Sequence, residues 1–237
     1  MTALLIIFAR EPLPGNVKTR LCPPLSFEAA AQLYHSFIGD ILEEMTRVEK
    51  CSLAVAFSPP ESQAFFRRLA PPDAHLWSQE GADLGARMAR AFDRGFGTGF
   101  GPVMLMGSDV PDLPAARVAE AQAVLTAGQA QVVLGPSHDG GYYLVGLTTP
   151  QPGLFSGPAW SGHRVLSDTL RLARDLALTV HLLPRWRDID TYDDLRAFCR
   201  QRGPAPQAGW RSRSAARRLL GVPEPVDFQA PPLWRKP

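Results

Sequence analysis

The chain has 237 residues, 45% of them hydrophobic and 20% charged, proportions that suit a soluble globular protein with one large α/β core. Its apolar runs are strand-sized, well short of the ~20 residues a membrane helix needs, so no membrane span is expected. Three well-separated cysteines, Cys22, Cys51 and Cys199, argue against a disulfide framework or a structural zinc site. With no basic leader segment at the N-terminus, they suit a reducing cytoplasm.

Strand-length apolar runs alternate with helical patterns along the chain. ALLIIFA (3–9) and CSLAVAF (51–57) read as strands on either side of an amphipathic helix. In that helix Phe27, Ala30, Tyr34, Phe37, Ile38, Ile41 and Met45 recur at three- and four-residue steps, and Ser26 is its expected N-cap. GADLGARMARAFDRGF (81–96) repeats the helical signal, and PVMLMG (102–107) reads as a strand buried on both faces. A helix from Pro114 to Ala127 follows, with proline where its missing N–H costs nothing. Strands are predicted at 131–135, 142–147 and 178–184, with helices at 163–176 and 191–201. This alternation implies βαβ units: a single Rossmann-like, mostly parallel sheet with helices on both faces.

The net charge of +2 is unevenly distributed. From Arg200 onward there are eight Lys or Arg against two acids, leaving 17 cations against 21 acids upstream. Residues 1–202 read as one domain and 203–237 as a Pro- and Arg-rich extension. The expectation for that extension is a solvated, partly disordered tail. In the alternative, Trp210, Leu219, Leu220 and Trp234 strap it to the body or to a second subunit of a homodimer. Its many prolines break any folded basic face, so nucleic acid is not an expected partner.

Open α/β sheets bind ligands beyond the carboxyl ends of their strands, and the segments there are polar. REPLPGNVKTR follows the first strand. Gly15 permits close backbone approach, Pro12 and Pro14 stiffen the loop, and Arg10, Lys18 and Arg20 could face a polyphosphate. The competing reading is a surface loop with solvated cations. SDVPDLP follows the 102–107 strand. There Asp109 suits a hard divalent cation bridging to phosphates, while Asp112 is the better candidate to cap the next helix. In RDIDT, Asp188 and Asp190 point the same way, one to bind metal while Asp190 or Thr191 caps. HDGGYY places Asp139 before Gly140 and Gly141, either as a functional loop or as a plain hairpin turn. Gly81 and Gly85 flank a helix start whose N–H groups could take a phosphate or ribose oxygen, with Arg87 in reach or merely solvent-facing.

FAREPLPGNVKTRL, GADLGARM, GSDVPDLP, LGPSHDGGYYLVGL, LFSGPAWSG and DIDTYDDL occur in order between about residues 4 and 198. Together they resemble the bacterial GT-A-type proteins labelled arsenosugar-biosynthesis-type glycosyltransferases. More distantly, they resemble the nucleotidyltransferases of molybdopterin-dinucleotide and deazaflavin-cofactor synthesis. The resemblance implies a nucleotide-diphospho-sugar transferase fold and a transferase acting on a nucleotide-activated donor with Mg²⁺ or Mn²⁺. An NDP-sugar donor would make it a glycosyltransferase, an NTP donor a nucleotidyltransferase; a non-catalytic nucleotide-binding protein is the remaining alternative. It implies that Arg10, Gly15, Lys18 and Arg20 wrap the phosphates, and that Asp109 and Asp190, with Asp188 as an alternative, hold the metal. It also implies that Asp139, Gly140, Gly141, Tyr142 and Trp160 lie toward the unknown acceptor; Asp139 is the expected acceptor-activating base. One departure is that Asp109 and Asp112, three apart, do not form a DxD motif.

Overall fold

A computed structural model describes residues 1–157, 159–160, 162–200 and 208–223. The strands are β1 (Ala3–Arg10), β2 (Cys51–Ser58), β3 (His75–Ser78), β4 (Val103–Met106), β5 (Val132–Pro136), β6 (Tyr142–Leu147) and β7 (Val180–Leu182). Interspersed are α1 (Phe27–Met45), α2 (Gln63–Leu69), α3 (Leu84–Gly97), α4 (Ala115–Thr126), α5 (Val165–Asp175), α6 (Tyr192–Arg200) and α7 (Trp210–Leu220). The strands form one sheet in the order β3-β2-β1-β4-β6-β5-β7. Every pairing is parallel except those of β6, which runs antiparallel to β4 and to β5. The mostly parallel sheet expected from the sequence is therefore present, with one reversed strand inside it.

Strand period assigns the two faces. Leu5, Ile7 and Ala9 of β1 join a core roofed by α1, α2, α4, α6 and α7, whereas Leu4, Ile6 and Phe8 join one covered by α3 and α5. Helix α1 begins where Ser26 Oγ accepts a hydrogen bond from the Ala29 N–H at 3.2 Å, the expected cap. Its inward stripe includes the fully buried Phe37, Ile38 and Ile41. The helix after β4 is capped differently from the expectation. Asp112 does not serve it; the Ala115 N–H donates to Glu44 Oε1 on α1 at 2.9 Å.

Chain order along the sheet reverses between β1 and β4. Helix α1 leads from β1 to one neighbour, β2, while the later crossover returns on the other side. The loops leaving these two strands, 11–20 and 107–114, therefore face each other across the switch point, where such sheets hold ligands.

The solvated, partly disordered tail is not what residues 208–223 form. Helix α7 packs on α1 and α6, buries Ser212 and Ala216 completely, and strands no charge in doing so. Buried Asp40 of α1 accepts from the Ser212 N–H (2.7 Å), the Ser212 hydroxyl (2.5 Å) and Arg211 (3.3 Å). This is the strap alternative in part: Leu220 packs against the main core, whereas Leu219 is exposed; Trp234 lies outside the described residues. Two further elements, β3 and α2, had no counterpart in the sequence reading.

Phe37 anchors the α1 face of the core. Phe37→Ala should cost about 3–5 kcal/mol of stability, read as a lowered urea midpoint with an unchanged transition slope.

Candidate functional site

Loop 11–20 folds inward from β1. Val17 and Leu21 are buried and pin it to the core. Lys18 between them adopts the left-handed conformation at φ 48°, which a non-glycine residue takes at a cost of about 1–2 kcal/mol. That backbone aims the side chain into the protein, where only 5% of it is exposed. The ammonium lies 2.5 Å from Asp109 Oδ1 and 2.9 Å from Asp190 Oδ1, and donates to the Ile189 carbonyl at 2.6 Å. It also sits over the rings of Tyr34 and Phe37, at 5.9 and 5.7 Å. Burial disfavours its charge, but Asp109 and Asp190 outweigh burial and raise its pKa above the usual lysine range.

Asp109 and Asp190, expected to share one cation, are therefore brought together around the chain's own ammonium. Their loops are also joined through the backbone, the Ile189 N–H donating to the Asp109 carbonyl at 2.9 Å. Asp190 is not a helix cap. Thr191 caps α6, its hydroxyl accepting from the Asp194 N–H while the Asp194 carboxylate receives the Thr191 N–H and hydroxyl. Arg20 remains 70% exposed, 3.8 Å from Asp190.

A second carboxylate group adjoins the first. One oxygen each from Asp139, Asp188 and Asp190 lie within 4.8 Å of one another. Desolvation, followed by the charge of Asp139, pushes the Asp188 carboxyl up to about 7. Three hard oxygen donors at this spacing fit a magnesium- or manganese-type cation. The sequence reading assigned Asp109 and Asp190 to metal, with Asp188 as the alternative, and made Asp139 a base; the geometry instead groups Asp139 with Asp188 and Asp190 and pairs Asp109 with Lys18.

Asp139 reaches this point at the tip of the β5–β6 hairpin. Its carboxylate accepts from the Ser137 hydroxyl and from the Gly141 N–H. The Gly140-Gly141 pair is thus a hairpin turn, as the competing reading had it, but a tightly fitted one. Gly140 lies at φ +94°, and a Cβ there would stand 2.0 Å from the His163 carbonyl. Tyr142 and Trp160 meet edge-to-face with centroids 6.5 Å apart.

The remaining predicted residues lie elsewhere on the same rim. Gly15 is exposed at φ +80° with open space around it. Arg10 has an exposed side chain, while its N–H donates to the Tyr34 hydroxyl at 3.2 Å. Gly85 is buried, and a Cβ there would lie 2.4 Å from both the Phe155 carbonyl and Trp160 Nε1. Its small size accommodates the indole. Arg87 donates through Nε to the Gly81 carbonyl at 3.1 Å. It lines a cleft of about 220 Å³ with Trp77, Gln79, Arg90 and Arg94. The sequence reading missed that cleft because it overlooked β3, which carries Trp77.

The segment 41–162 matches a family described as "Uncharacterized protein conserved in bacteria (DUF2064)". The chain belongs to this family. The fold is shared with a crystal structure from Desulfovibrio desulfuricans G20, provisionally named a nucleotide-diphospho-sugar transferase. The two are 33% identical, with a TM-score of 0.82 over 92% of this chain and 98% of that one. More distant matches are a CMP:2-keto-3-deoxy-manno-octonic acid synthetase complexed with CTP and a cytidylyltransferase from Leptospira borgpetersenii serovar Hardjo-bovis (strain JB197). The synthetase is 11% identical with a TM-score of 0.55, covering 83% of this chain and 96% of its own. The cytidylyltransferase is 10% identical with a TM-score of 0.53, covering 97% and 100%. At such identities these two show the fold alone, the GT-A-like fold of nucleotide-diphospho-sugar transferases. No curated protein matches the chain in sequence. Among the described residues, no helix is long and apolar enough to cross a membrane.

Two outcomes follow from the electrostatics. Lys18→Met leaves Asp109 and Asp190 repelling each other. Because those carboxylates are 45% and 35% exposed, water screens part of the penalty, and the loss should be about 2 kcal/mol by urea unfolding. In metal-free protein Asp188 holds its proton to about pH 7 when folded but only to about pH 4 when unfolded. Its contribution is complete below the lower value and is lost as pH rises to the upper one. Asp188→Asn should flatten the decline in melting temperature between those limits.

Proposed function

We propose that the chain is a metal-dependent transferase acting on a nucleotide-activated donor, and that the donor is an NDP-sugar whose glycosyl group passes to an acceptor. The observation that carries this reading is the buried Lys18 ammonium held by Asp109 and Asp190, beside the carboxylates of Asp139 and Asp188. Acids and cations fixed so closely at the switch point of a GT-A-like sheet suit a pyrophosphate and its counter-ion. The 33% identical relative, with its provisional sugar-transferase name, supports the same class of donor.

In this reading Asp139, Asp188 and Asp190 hold Mg²⁺ or Mn²⁺, and the ion supplies positive charge to the leaving diphosphate. Lys18 keeps Asp109 and Asp190 at fixed separation and contributes a second positive charge that cannot drift away. Arg20, exposed beside Asp190, and Arg10, exposed on the same loop, close over the donor phosphates as mobile forks. Gly15 lets that loop approach them closely. The cleft at Trp77, Gln79, Arg87 and Arg94 receives the nucleoside. Gly140, Gly141, Tyr142 and Trp160 shape the acceptor side. The sugar–oxygen bond to the nucleoside diphosphate breaks as a bond to the acceptor oxygen forms. The acceptor proton passes to solvent. The closer kinship with arsenosugar-type glycosyltransferases and the cytoplasmic location belong to this proposal as well.

A thermal-shift panel of nucleoside diphosphates, triphosphates and NDP-sugars, each with and without Mn²⁺, tests it. The expected result is the largest metal-dependent rise with an NDP-sugar, abolished in Asp190→Ala. A clear preference for a triphosphate, with pyrophosphate release, would move the assignment to nucleotidyl transfer. Binding without turnover against any acceptor would make the protein a nucleotide-binding module. Indifference to every nucleotide would overturn the reading.

A further inference from the structure

Asp112, the residue freed from capping α4, has other partners. Its Oδ1 accepts from the Trp186 indole N–H at 2.9 Å, and its Oδ2 pairs with Arg213 Nη2 at 2.9 Å. Only 15% of the Asp112 side chain and 12% of the Arg213 side chain are exposed. Three segments distant in sequence meet here: the loop after β4, the loop after β7, and the start of α7. Their approach is close. Gly209, at φ +69°, lies against Asp112, and a Cβ there would come within 2.9 Å of the Asp112 Cβ.

Asp112 is three residues from Asp109, and Trp186 is two and four residues from Asp188 and Asp190. The Asp112–Trp186 bond therefore joins the same two loops as the Ile189 N–H to Asp109 carbonyl bond. Together with the Lys18 ammonium between Asp109 and Asp190, these two bonds set the angle between the loops. Arg213 holds the second. Its guanidinium also donates to the Phe198 carbonyl at the end of α6 and lies over the Phe198 ring at 4.0 Å, so it is itself fixed to the body of the fold.

We propose that Arg213 is a positioning residue for the carboxylate site, holding the Asp109 loop to the Asp188–Asp190 loop through Asp112 and Trp186. It touches none of the reacting groups. Helix α7 is in this view a working part of the site, anchored at Asp40 and acting at Asp112. The proposal rests on the carboxylates being the metal- and donor-binding group, and it adds that their spacing is set from the C-terminal helix. Outer partners that orient ligands commonly carry a 10- to 100-fold effect on metal affinity.

The test compares full-length Arg213→Ala, Arg213→Lys and Asp40→Asn proteins with wild type. Asp40→Asn serves as control, because it weakens the α7 anchor without touching Asp112. Mn²⁺ binding is followed by electron paramagnetic resonance. The Trp186 indole N–H signal (assigned with Trp186→Phe) and Ile189 amide exchange are followed by NMR. In Arg213→Ala the indole signal should move, Ile189 exchange should quicken, and Mn²⁺ affinity should fall roughly 10- to 100-fold. Arg213→Lys, which keeps the charge but loses the fork, should fall between. Asp40→Asn should melt earlier yet keep the wild-type indole signal and Mn²⁺ affinity. If Arg213→Ala and Arg213→Lys leave all three readouts unchanged, or change them no more than Asp40→Asn at equal loss of stability, Arg213 is merely structural and the proposal is overturned. If Arg213→Ala does not fold, Arg213→Lys alone decides by the same criteria. Absence of Mn²⁺ binding in wild type would remove the metal reading, while the indole and amide results would still decide whether Arg213 sets the loop geometry.

Discussion

A lysine ammonium inserted between two aspartates organises this protein's functional rim. Lys18 draws the loop after β1 inward, holds Asp109 from the loop after β4 and Asp190 from the loop after β7, and pays for a left-handed backbone to do so. Without a cation, acids this close would repel and their loops would separate. A mobile metal ion could neutralise them only when bound. A covalently attached cation does so throughout, and so preorganises the rim. The cost of burying Lys18 is offset by three close oxygen partners and by two aromatic rings beneath it.

The same ammonium divides the acidic residues into two kinds. Asp109 is committed to Lys18, whereas Asp139 and Asp188 group with Asp190, and Asp188 feels the charges of Asp139, Asp190 and Asp109. Burial and mutual repulsion raise Asp188 toward neutrality, and a divalent ion would relieve that repulsion. Asp190 belongs to both groups, through Oδ1 to Lys18 and through its place in the triad. Any change in charge on one side is therefore felt on the other.

Much of this was legible in the sequence, and what was not has identifiable causes. The core strands β1, β2 and β4 are unbroken apolar runs, and α1 announces itself by Ser26 and a seven-membered apolar stripe, so fold class followed from local pattern alone. Strand β3 has four residues and helix α2 seven, too few to show a period. Helix α7 was hidden for a different reason. Its contacts with the body are largely arginines bonded to Asp40, Asp112 and backbone carbonyls, and a polar interface leaves no hydrophobic stripe to read. In the site, Lys18, Asp109 and Asp190 do come together, but their pairing with one another was not read. Asp112 sits where a cap should be, but Glu44, 71 residues before the Ala115 N–H it accepts from, takes that role, and no local pattern carries information across such a distance. Lys18 read as a phosphate-facing or solvated cation rather than a buried one, because its left-handed backbone, which turns the side chain inward, has no sequence signature outside glycine and asparagine.

The reversed strand β6 has an architectural corollary. In a parallel sheet each connection must travel the full height of the domain and back, usually through a helix. Because β6 runs the other way, both ends of the 137–141 turn stay on one rim, and its residue count is uncoupled from the rest of the architecture. Insertions or deletions there could reshape the wall opposite the β1 loop without rethreading a single helix. Within that freedom Asp139 and Gly140 stay fixed, the first by its place beside Asp188 and Asp190 and the second by its close approach to the His163 carbonyl.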